Sequence, residues 1–251
     1  MVQIKQAIKN PFSSIGTLIV MMLFFILSSV LLAGSVAFEF VNAALSLALP
    51  SGLKWLFWLL SLVLLLSVVG YIARIAGAAG AMPSRSLGKS LWLGVRLAFL
   101  FMIYTIPYDL TLFVYGTLGV VLSVLVLIPT AVLFPAIVLT VIEHNSFVAG
   151  FKWGLIIRKL SVNYAKAYGL SIAFVMGYSL ISYGISVILA ALSSSATTFA
   201  IFYGVQWIQY SFFLIIALAT AASFFAYVTR SPVKSSNMSE PLPHETAPPQ
   251  K

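Results

Sequence analysis

No cysteine occurs among the 251 residues. The chain therefore has no disulfide, no thiolate metal site, no iron–sulfur cluster and no cysteine nucleophile, and composition leaves its redox compartment open. Histidine is almost as scarce, since only His144 and His244 occur, far apart and with no second ligand at metal spacing, so no metal centre is expected. Acidic side chains number five. Glu39, Asp109 and Glu143 never recur at a spacing that sets two carboxylates on one helix face, and Glu240 and Glu245 fall in the tail, so no general acid–base couple is formed. Gly77 to Gly80 and Gly150 to Gly154 lack the Lys-Ser/Thr of a phosphate loop and read as turn or close-packing positions. No catalytic, cofactor-binding or metal-binding residue is expected, and no enzymatic activity.

Charge as a whole is sparse, at 8% of residues against 61% apolar ones, which places the chain among polytopic membrane proteins. Uncharged runs of 29 residues separate Lys9 from Glu39, 19 separate Lys54 from Arg74, 33 separate Asp109 from Glu143 and 63 separate Lys166 from Arg230. A membrane-spanning helix needs roughly 20 residues. The longest run would extend about 95 Å as one helix at about 1.5 Å per residue, so it must fold back once.

In chain order, residues 1–14 place Ile4 and Ile8 one turn apart with Lys5 and Lys9 on another face, the pattern of a short interfacial helix ended by Pro11. The first span is expected from Ile15 to about Phe38. Its basic flank and the small Ser35 and Ala37 also fit a cleaved signal peptide, but the apolar stretch exceeds a signal core, and an uncleaved span is preferred. Phe38 to Leu53, punctuated by Glu39, Asn42, Pro50 and Gly52, reads as an outer-surface interfacial helix. Further spans are expected over Trp55–Ala76, Leu91–Tyr108, Thr111–Ile142, Ala167–Leu189 and Ile201–Val228. Trp55 and Trp58 suit an interface belt, Arg96 lies shallow enough to snorkel, and Pro129 and Pro135 should kink the fourth span or leave an irregular patch. Residues 231–251, with five prolines, read as a disordered tail after a six-span domain at 15–230.

Between the fourth and fifth spans, Lys152, Lys159 and Lys166 recur at sevens beside an apolar strip of Trp153, Ile157 and Leu160. This suggests a basic amphipathic helix on the membrane surface, or simply the charged flank of the fifth span. With the N-terminus cytoplasmic, six spans put thirteen basic residues inside and only Lys54 outside, a strong positive-inside bias that sets both termini in the cytoplasm. That distribution accounts for the net charge of +9 and disfavours nucleic acid as a partner, because no single basic groove is formed. Anionic lipid of the inner leaflet is the expected partner of Arg85, Lys89, Lys152, Lys159 and Lys166, or a membrane-protein complex that docks there.

One polar constellation lies inside the apolar runs. Ser179, Ser182, Tyr183 and Ser186 share a face of the fifth span, and Tyr203, Gln206 and Tyr210 share a face of the sixth, both in the outer half. Such residues most often hydrogen-bond across a hairpin; the alternative is a pocket for a lipid headgroup or solute.

Gly70-Tyr71 with Arg74, Met82-Pro83, Gly94, Tyr104, Pro107, Pro135, Ser146, Ala149 to Phe151, Ile157, Asn163 and Tyr168, in this order and spacing, together resemble the uncharacterised prokaryotic family called domain of unknown function 4013. The resemblance covers about Pro11 to Val228. Where members often carry an acidic loop after the proline, this chain has the basic SRSLGK. The resemblance implies a multi-span protein of a prokaryotic plasma membrane with no assigned activity and no cofactor. The favoured function is a non-enzymatic accessory, scaffolding or assembly subunit of a membrane complex, because Arg96 alone puts an ionisable group within a span. A small transporter or lipid-handling protein is the alternative.

Overall fold

A computed structural model describes residues 2–44, 50, 52–78, 83–84, 86–111, 113–114, 116–191 and 196–228. Residues 192–195, Arg85 and the chain from 229 onward lie outside the described residues. Among the described residues the regular elements are helices and no strand occurs. Six of them are long and apolar enough to cross a membrane: α2 (Ile15–Ala44), α3 (Gly52–Gly77), α4 (Leu87–Thr111), α5 (Thr117–His144), α7 (Val162–Ala191) and α8 (Ala196–Val228). Two short helices, α1 (Val2–Lys9) and α6 (Trp153–Lys159), complete an all-α polytopic bundle.

Of the stretch from Phe38 to Leu53, the described residues do not form a separate interfacial helix. α2 continues through Glu39 and Asn42 to Ala44, and α3 already begins at Gly52. At 30 residues, about 45 Å at ~1.5 Å per residue, α2 outruns a hydrocarbon core of about 30 Å, so Glu39 and Asn42 near its end need not interrupt it. α5 likewise runs unbroken through Pro129 and Pro135. A proline lacks an N–H and crowds the carbonyls of the preceding turn. Beside Pro135, the Tyr164 hydroxyl donates to the Val132 carbonyl, supplying a donor from another helix in that turn. The tight link between α4 and α5 turns at Gly116, whose φ of 78° suits glycine.

α8 is the central post. It packs against α1, α2, α3 and α7, and Ser211, Ile215, Thr220, Ser223 and Phe224 along it are almost fully buried. Small residues such as Ala217, Ala219 and Ala222 let neighbouring helices approach, the usual device where lipid offers no hydrophobic drive between helices. α1 presents buried Ala7 and partly buried Ile8 to the core and lies against α8, and Asn10 Nδ2 donates to Ser223 Oγ at 3.3 Å.

α2 joins α3 through reciprocal serines. Ser28 Oγ donates to the Ser61 carbonyl at 2.9 Å, and Ser61 Oγ donates to the Ser28 carbonyl at 2.8 Å. α3 crosses α4 at two glycines. A Cβ on Gly70 would collide with the Ser90 carbonyl, and one on Gly94 with the Leu66 carbonyl, so the two backbones touch there.

Candidate functional site

α7 and α8 form an antiparallel hairpin, and α7 packs chiefly on α8, which leaves much of its surface uncovered. At the seam Ser182 is buried, and the Gln209 amide fastens to it. Gln209 Nε2 donates to the Ser182 carbonyl at 3.1 Å and meets Ser182 Oγ at 2.9 Å. A carbonyl can only accept, so the NH2 end must face it and Oε1 points away. Oε1 is buried without a hydrogen-bond partner among the described residues. Ser186 Oγ turns back to the Ser182 carbonyl at 2.9 Å. Lower on the hairpin Ser171 Oγ donates to Ala167 O at 2.7 Å and reaches Ala221 O at 3.3 Å.

Beside this seam lies a groove of about 770 Å³. Six of the seven polar residues expected to share this depth line it: Ser179, Ser182, Tyr183 and Ser186 from α7, Gln206 and Tyr210 from α8. The Tyr203 side chain lies outside the described residues. Tyr183 is 70% exposed, so the groove opens outward into the space that lipid or a neighbour occupies. Val175, Met176, Leu180, Val187 and Ala190 form the rest of the wall. Apart from the two phenols, no lining side chain is ionisable, and each hydroxyl and amide both donates and accepts. The groove is built to hold a neutral hydrogen-bonding group beside an apolar one.

Sequence spacing missed Gln209, the residue that fastens the hairpin. It lies one turn beyond Gln206 and off the face shared by Gln206 and Tyr210. Its signal was a second amide three residues after Gln206 in a mostly apolar span, where a buried polar group requires a partner.

The basic residues are arranged differently from the sequence expectation. Lys152, Lys159 and Lys166 do not share one amphipathic helix. A 3-10 turn at Phe147–Phe151 precedes α6, Lys152 stands between the two, Leu160 caps α6 and Lys166 belongs to α7. This segment also folds back against the spans. Tyr104 Oη donates to the Gly150 carbonyl at 2.7 Å, a Cβ on Gly150 would meet Leu100 at 2.9 Å and Val141 at 3.1 Å, Tyr104 stacks on Phe151, and Ile156 is fully buried. Lys159 pairs with Glu143. Lys89, Lys152 and Lys166 are exposed: Lys89 on α4, Lys152 in the link before α6 and Lys166 on α7.

Two arginines knit the same end of the bundle. Arg74 donates to Ser90 Oγ at 3.0 Å and to Ser86 O at 3.3 Å, while Tyr71 Oη donates to Pro83 O at 3.0 Å. Arg96 reaches Asn145 O at 3.2 Å and Oδ1 at 3.1 Å and lies over the Trp92 ring. Asn145 takes the left-handed conformation that ends α5. Arg96 therefore locks a helix terminus through exposed hydrogen bonds.

Among the described residues no group of three or more His, Cys, Asp or Glu gathers where a metal ion would be held. No protein-family model, curated protein or solved structure matches the chain.

Proposed function

We propose that this integral membrane protein is a non-enzymatic accessory or assembly subunit of a prokaryotic plasma-membrane complex, and that a transmembrane segment of its partner docks in the α7/α8 groove. One observation carries the reading: hydroxyls and an amide line an open groove on a helix packed chiefly on a single neighbour. In hydrocarbon such groups are best satisfied by another helix, and Tyr with small hydroxyl residues suits a neighbour that approaches closely. The positive-inside count orients both termini to the cytoplasm in this reading.

Lipid handling is the second reading, favoured by the aliphatic wall beside the hydroxyls, which also suits an amphiphile. A photo-crosslinking residue at Ser179 or Tyr183 in native membranes separates the two. A discrete protein adduct, absent when the residue is placed at lipid-facing Leu125 instead, supports docking. Lipid adducts alone support the second reading, and no enrichment over Leu125 refutes both.

A further inference from the structure

A second space lies away from the groove, between α3, α4, α5 and α8, and opens to the outside past the exposed Val69 and Phe101. It measures about 590 Å³ and is lined only by Leu, Ile, Val, Ala, Phe and Pro side chains. Its room comes from small residues: Ala73 and Ala76 on α3, Ala98 on α4, Ala221 and Ala222 on α8. Phe101 and Phe134, edge to face at 5.3 Å, wall one side.

We infer that this cavity holds one hydrocarbon chain of a polar membrane lipid. The lining offers no side-chain nitrogen or oxygen, so water or a polar solute would find no hydrogen-bond partner there, and apolar cavities of this kind take apolar guests. The space falls within the size range of small-molecule sites. On α3 the lining runs from Leu65 to Ala76, roughly 16 Å at about 1.5 Å per residue, which matches half of a hydrocarbon core of about 30 Å. One chain from one leaflet fits that length.

The leaflet and the headgroup follow from the end at Ala76. There Arg74 ties α3 to the first turn of α4 through Ser86 and Ser90, and exposed Lys89 stands on that turn. A phosphate headgroup at this end meets cationic side chains, whereas an uncharged isoprenoid gains nothing from them.

The test uses the full chain reconstituted in vesicles of phosphatidylcholine and phosphatidylglycerol, with a photoactivatable diazirine in the phosphatidylglycerol acyl chain. Adducts on Leu97 and Leu139 should exceed those on lipid-facing Val120 and Leu125 at least fivefold. They should fall to the lipid-facing level in Ala73→Phe or Ala221→Phe, with adducts on Val120 and Leu125 unchanged. Should either variant fail to fold, Ala98→Val and Ala222→Val, which fill less space, should each lower the cavity adducts at least twofold. Excess unlabelled phosphatidylglycerol should compete. Equal labelling of cavity and lipid-facing positions, insensitivity to filling, or competition by a polyprenol but not by phosphatidylglycerol would each overturn the assignment.

Discussion

Single residues set the tolerances of this bundle. Gly94 and Gly88 lie in the same helix, yet a Cβ on Gly94 would enter the Leu66 carbonyl while Gly88 has open space around it. Gly94→Val should therefore cost about 1–3 kcal/mol or more, since inserted atoms force two backbones apart. Gly88→Ala should not destabilise, because alanine is the better helix former by roughly 1 kcal/mol. Thermal unfolding in one detergent compares the pair, and equal melting temperatures would show that α3 and α4 are not in backbone contact. Composition marks both glycines alike; only the fold says which one carries a crossing.

Elements were legible to different degrees. The six spans stand out because hydrocarbon demands long uncharged helices, and the polar groove was visible because Ser, Tyr and Gln at helical spacing contrast with their apolar surroundings. The space between the four spans was not, for alanines within an apolar run give no contrast. The heptad lysines misled because spacing alone cannot register the breaks at Lys152 and Leu160. Their rearrangement makes a prediction. Lys89, Lys152 and Lys166 are exposed, each worth about 1 kcal/mol near an anionic surface, so changing all three to Gln should weaken phosphatidylglycerol binding by about a hundredfold at low salt and little at high salt. Lys159→Gln should change retention far less, because its ammonium is engaged by Glu143. Equal losses from Lys159→Gln alone would show that the pair does not withhold that charge.

For the whole molecule, the absence of native cysteine gives topology a clean assay. Gly52 and Gly88 are exposed, with nothing near an added Cβ, and stand at opposite ends of the α3/α4 hairpin. With cytoplasmic termini, Gly52→Cys should react with an impermeant thiol reagent added outside intact cells, and Gly88→Cys only after the membrane is opened. The reverse pattern would invert the chain. The contact between α1 and α8 adds a matter of timing. Asn10 and its partner Ser223 are separated by 213 residues, so α1 leaves the ribosome long before the helix it rests on. Until α8 is made, the apolar face of α1 has no protein to lie against, and its lysines can hold it at the anionic surface of the inner leaflet. Closure of this clasp then reports that synthesis has reached α8, and a nascent chain stopped before it would be left open to quality control.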